Sequence, residues 1–125
     1  PFGDKIAPAQ AHYAAGGQVY GKGEGKGKTA PVGQHPANGF RLHDMIGNVA
    51  EWVNDWYDEY YYFDSPPADP PGPAYGTLKV TRGGCWASLG TDCRSAARRP
   101  HDPTSPADTV GFRVVLVQGP AEVEE

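Results

Sequence analysis

Long apolar runs are missing from this 125-residue sequence, and nothing in it approaches the roughly 18 apolar residues of a membrane-spanning helix. Cysteine occurs only twice, at Cys85 and Cys93. That is enough for one disulfide or one metal-binding pair but too few for a disulfide scaffold. Positive charge is also in deficit. Eleven Lys and Arg stand against fifteen Asp and Glu, a net charge of −4 with His neutral, so a nucleic-acid partner held by a basic surface is not expected. The amino terminus carries no signal-peptide pattern of charge, apolar core and small-residue cleavage site, and a chain opening at Pro1 is expected to be a processed product or a fragment. What the sequence does have is seventeen glycines and thirteen prolines, which exclude a helical bundle or coiled coil because both residues break helix interiors. Three Trp and seven Tyr supply enough aromatic area to close a core and so argue against wholesale disorder.

Along the chain, 18–20 reads as a short strand, and 21–28 alternate glycine with Lys or Glu as a flexible surface loop. Lys22 to Thr29 looks like a phosphate-binding loop, but Lys22 stands where that motif needs Gly and Pro31 blocks the helix that should follow. Residues 42–63 are dense in aromatics, with Trp52 and Trp56 four apart as on one helix face. Five prolines between 64 and 76 dictate an extended loop. Residues 77–81 alternate as a strand that Gly83-Gly84 ends. A strand or turn follows at 93–98, and the β-branched run at 112–117 is the clearest strand of all. Residues 119–125 form an acidic tail. The pattern predicts one α+β domain over 1–125, with little regular secondary structure and short strands joined by long loops.

Chemistry-bearing residues are sparse. His12, His35, His43 and His101 are scattered, and none has a partner at the spacing of a zinc site, so they read as hydrogen-bonded or surface side chains. Asp44 to Glu51 places two carboxylates around a Gly-Asn turn, a hard-oxygen arrangement that suits Ca²⁺; the plain alternative is an Asp cap and a solvated Glu. Cys85 and Cys93 are separated by seven residues and are open to a soft ion such as Cu(I), to a disulfide, or to use as small apolar side chains. Arg94, Arg98, Arg99 and Arg113 could pair internally with Asp92, Asp102 and Asp108, or line a pocket for an anionic or peptide ligand.

Several segments, taken in order, resemble the formylglycine-generating enzyme (sulfatase-modifying factor) family. They are His12-Tyr13, Thr29 to Gly33, Pro36 to Phe40, Leu42 to Trp52, Asp55-Trp56-Tyr57, Val80 to Trp86, Cys93 to Arg98 and Gly111-Phe112-Arg113. The resemblance implies a fold related to C-type lectins, of which this chain matches the C-terminal half. An exposed apolar face is then expected, covered by another polypeptide that completes the domain or by a protein or peptide ligand. It also implies a calcium site formed by the Asp44 side chain, the Gly47 and Val49 carbonyls and the Glu51 carboxylate. A second family calcium site is not carried over, because Ala15-Gly16 stand in place of its first ligands.

Family enzymes oxidise a substrate cysteine with O₂ at a Cu(I) held by two cysteines. Here the first of those positions falls near Ser88, Cys85 replaces the serine that follows the Gly-Gly pair, and the copper pair is not reproduced. The expected function is a calcium-stabilised binding or structural module, with Trp86, Arg94, Arg98 and His101 lining its surface over 85–108. The competing expectation is a copper-dependent oxidase that makes formylglycine, with Cys85 and Cys93 as a displaced catalytic pair. Secretion or the periplasm is the expected location, where a structural calcium site is easily filled.

Overall fold

The computed structural model describes residues 6–14 and 27–116. The expected strand at 18–20, most of the Gly/Lys loop at 21–28 and the acidic tail at 119–125 lie outside the described residues. Regular structure is sparse: β1 (Ala50–Trp56), α1 (Tyr61–Asp64), β2 (Lys79–Arg82), β3 (Arg99–His101) and β4 (Val110–Gly111). The four strands make one sheet in the order β3-β2-β1-β4. β1 runs antiparallel to β2, with Glu51 opposite Arg82 and Trp52 opposite Thr81, and an irregularity precedes the Trp56–Lys79 pair. β3 runs antiparallel to β2, and β4 lies parallel to β1 over only two pairs, Ala50–Val110 and Glu51–Gly111.

Three sequence readings change. Trp52 and Trp56 belong to a strand, not to a helix face: pairing with β2 decides the backbone, and seven residues rich in aromatics satisfy a sheet as well as a helix. The turn at 93–98 is followed by a strand that Pro100 conceals. β3 is an edge strand, where a missing N–H costs no ladder bond. Of the expected strand at 112–117, residues 112–116 are described and do not continue β4. Phe112 and Leu116 are 78% and 98% exposed, and a β-branched run becomes a strand only when a neighbour takes its backbone bonds. The one-turn helix at Tyr61–Asp64 has no periodic signature in the sequence.

The core is small. Val80, in β2, is completely buried, and the other buried residues among those described are Ala11, Ala14, Cys85, Cys93, Thr81 and Asn48. Polar bonds join the loops, and Asn48 makes four of them. Its N–H donates to the His12 carbonyl at 2.8 Å, and its own carbonyl accepts from the Trp86 N–H at 2.9 Å. Its side chain accepts from the Ala30 N–H at 2.8 Å and donates to the Ala30 carbonyl at 3.2 Å. One residue thus ties together three loops distant in sequence. Its φ of 63° is left-handed, a conformation Asn adopts more readily than most residues.

Candidate functional site

The acidic turn is built on left-handed backbone at Asp44, Gly47 and Asn48, with φ of 54°, 78° and 63°. Gly47 is required sterically: a Cβ there would lie 2.2 Å from the His12 carbonyl oxygen, where the two segments form an isolated parallel bridge. The Asp44 carboxylate accepts from the Gly33 N–H at 2.5 Å. Glu51, at the start of β1, is clamped by the Arg113 guanidinium: Nε donates to both carboxylate oxygens at 3.0 Å, and Nη2 donates to Oε1 at 2.7 Å. Nη2 also donates to the His43 carbonyl at 2.9 Å. The hydrogen bond and charge of Glu51 hold the Arg113 pKa above its ordinary value. The sequence reading paired Arg113 with nearby aspartates; its partner instead lies sixty-two residues away.

Asp44, Gly47, Val49 and Glu51 line one cavity of about 440 Å³, with Leu42 and Phe112 on its apolar side. Among the described residues, no backbone bond outside the strands takes the Gly47 or Val49 carbonyl. Carboxylates and backbone carbonyls are the hard-oxygen donor types that calcium takes, and all four of these residues line the cavity. Arg41, His43 and Arg113 line the same cavity, so a cation held by these donors would share Glu51 with Arg113.

The two cysteines are free and buried, 8% and 3% exposed. The Ser88 hydroxyl accepts from the Cys85 N–H at 2.9 Å and lies 3.3 Å from the Cys85 sulfur. Burial, followed by the Cys85 thiol and the Asp92 carboxylate, pushes the Cys93 thiol up to about 11. Copper ligation needs a readily formed thiolate. The free Cys93 thiol has the opposite environment. A cavity of about 160 Å³ opens beside Cys85, lined also by Ser88, Asp92, Arg99 and His101.

The four expected surface residues each make contacts of their own. His101 lines the Cys85 cavity and packs edge-on to Trp52 at 5.2 Å. Trp86 donates from its indole nitrogen to the Asp108 carbonyl at 3.4 Å, and Arg94 donates to the Thr91 carbonyl at 2.9 Å. Arg98 lies over the rings of Tyr57 and Tyr62, at 5.6 and 4.9 Å, and lines neither cavity. Arg99 pairs with Asp92. All four histidines contact backbone carbonyls, those of Lys28, Ala9, His35 and Ser105, as hydrogen-bonded side chains do. Sequence reasoning missed the Asn48 staple and the Glu51–Arg113 clamp. The Gly-Asn dipeptide was a signal for the first; nothing local signals the second.

A family profile described as the sulfatase-modifying factor enzyme 1-like domain matches residues 1–117. The chain belongs to that family. Among curated relatives, the serine/threonine-protein kinase pkn1 of Chlamydia caviae is 40% identical over 115 residues, covering 90% of this chain and 17% of that protein. The formylglycine-generating enzyme of Streptomyces coelicolor is 41% identical over 93 residues, covering 72% of this chain and 30% of the enzyme. Among solved structures, Treponema denticola variable protein 1 superposes with a TM-score of 0.68 at 35% identity, over 83% of this chain and 34% of that one. PvdO from Pseudomonas aeruginosa gives 0.66 at 29% identity, over 90% and 41%. This sulfatase-modifying factor domain thus spans less than half the length of each of these proteins. Its sparse regular structure and small sheet are those of the family, and no helix among the described residues is long and apolar enough to cross a membrane.

Proposed function

We propose that this domain is a calcium-stabilised module that presents residues 85–108 to a ligand or partner chain and has no copper oxidase activity. The observation that carries the reading is the state of the cysteines. An oxidase of this family needs accessible, easily ionised thiols on its metal. Here Cys93 is buried with its thiol pushed up to about 11, and Ser88 stands near the first copper-cysteine position. The calcium part rests on the Asp44, Gly47, Val49 and Glu51 donors around one cavity. A cation there would cross-link the 44–49 turn to β1, and that turn holds Trp86 through the bond from its N–H to the Asn48 carbonyl. Exposed Phe112, Val114, Val115 and Leu116 supply an apolar strip for a completing polypeptide. A lectin-like kinship and a secreted or periplasmic location belong to the same reading.

The second reading is the oxidase, with Cys85 and Cys93 as its catalytic pair. It is favoured by the identity to the Streptomyces enzyme, which is named for that activity. An anaerobic Cu(I) titration of the reduced chain against a competing chelator separates the two. The module predicts weak binding that Cys85→Ser and Cys93→Ser leave unchanged. Tight one-to-one binding abolished by either substitution would overturn it.

A further inference from the structure

Both cysteines are free and buried, and Cys93 lies against Gly84, the residue that precedes Cys85. Cys93 Sγ rests on the backbone of Gly84: a Cβ at Gly84 would stand 2.6 Å from that sulfur and 3.4 Å from the Cys93 Cα. Gly84 immediately precedes Cys85, and consecutive Cα atoms are about 3.8 Å apart, so the two cysteine backbones are near neighbours. Ser88 joins the group, with its Cβ 3.3 Å from the same Gly84 position and its Oγ 3.3 Å from Cys85 Sγ. Both cysteines sit in loops, so bringing their sulfurs together breaks no ladder. The sequence contains no other thiol to compete.

We infer that Cys85 and Cys93 are an internal disulfide-forming pair, oxidised by a small-molecule disulfide that enters the cavity beside Cys85. The arrangement assigns the order of events. Cys85 lines the cavity; Cys93 does not. The Ser88 hydroxyl accepts from the Cys85 N–H and lies 3.3 Å from the Cys85 sulfur, which fixes Cys85 at the cavity wall. The Cys85 thiolate attacks one sulfur of oxidised glutathione, forming a mixed disulfide and expelling one glutathione thiolate. Cys93 then loses its proton to solvent and attacks Cys85 Sγ, expelling the second. Two protein S–H bonds are replaced by one S–S bond, and the two electrons and two protons leave in two molecules of reduced glutathione. The raised Cys93 thiol makes this second step the slower one at neutral pH and speeds it as pH rises.

The test uses the reduced chain, without copper, in oxidised glutathione, followed by acid quench, unfolding, alkylation and mass analysis. Wild type should lose two hydrogens, resist alkylation, and yield a peptide joining Cys85 to Cys93. Its Tm should rise by on the order of 5–10 °C on oxidation, since closing a short loop restricts the unfolded chain. Cys93→Ser should accumulate the glutathione adduct on Cys85, and Cys85→Ser should remain unmodified. Two alkylated thiols after oxidation, or a stable glutathione adduct on the wild-type chain, would overturn the inference. If either variant fails to fold, the wild-type chain alone decides between these outcomes.

Discussion

Replacing Asn48 by Ala removes the staple that joins the 30s loop to the acidic turn. The side chain makes two hydrogen bonds to Ala30, one to its N–H and one to its carbonyl. Each contributes about 0.5–1.5 kcal/mol net, and more when the abandoned partner is left without water. The left-handed backbone at φ 63° adds about 1 kcal/mol for a residue with a Cβ and no local polar compensation. Together these give about 2–4 kcal/mol, a large share of the stability of a small domain. Asn48→Gly separates the contributions, because glycine adopts the same φ freely and loses only the hydrogen bonds. It should cost about 1 kcal/mol less than Ala. Urea unfolding measures both, as a lower midpoint at constant slope. An Asn48→Ala variant within about 0.5 kcal/mol of wild type would refute the staple, and Gly as damaging as Ala would refute the backbone argument.

Gly47→Ala should be as harmful as Asn48→Ala or worse, since its Cβ would meet the His12 carbonyl oxygen at 2.2 Å; loss of amide protection at Asn48 by hydrogen exchange is the readout. Arg113→Ala should cost only about 1 kcal/mol in chemical denaturation, because the clamp on Glu51 is bidentate but a third of the guanidinium side chain is exposed. Cys93 makes stability fall with alkali. Its thiol ionises at about 11 in the fold against 9.0 ordinarily, so the unfolded chain releases the proton first. The contribution is complete below about pH 9 and fades toward pH 11, by about 2–3 kcal/mol. Cys93→Ala should remove that part of the slope, while the tyrosines, common to both chains, cancel in the difference.

The parts of the fold written in local chemistry were legible. Glycine and proline density announced a loop-rich domain, and the alternation around Val80 announced the central strand. The Gly-Asn dipeptide announced a turn, and Asp44, Gly47 and Glu51 line one cavity. Features set by distant partners were not legible. β1 is a strand because β2 lies beside it, and Pro100 is tolerated because β3 is an edge. Phe112 to Leu116 has every local property of a strand but no neighbour among the described residues to pair with. The Glu51–Arg113 clamp spans sixty-two residues, which a single sequence does not encode as a pattern. For the cysteines, spacing left disulfide, metal and apolar roles open, and burial beside Gly84 and Ser88 narrows them.

Calcium-dependent thermal unfolding tests the central claim most directly, run on wild type and Asp44→Asn in calcium, in magnesium and in chelator. Asn keeps an oxygen for the Gly33 N–H and tolerates the left-handed backbone, so this substitution removes charge with little effect on the turn. With calcium near 100 times its dissociation constant, linkage gives about 2.7 kcal/mol, a rise of on the order of 10 °C in Tm. The account predicts that rise for wild type in calcium and not in magnesium, with most of it lost in Asp44→Asn. An unchanged Tm in wild type, or an equal rise in the variant, would contradict it.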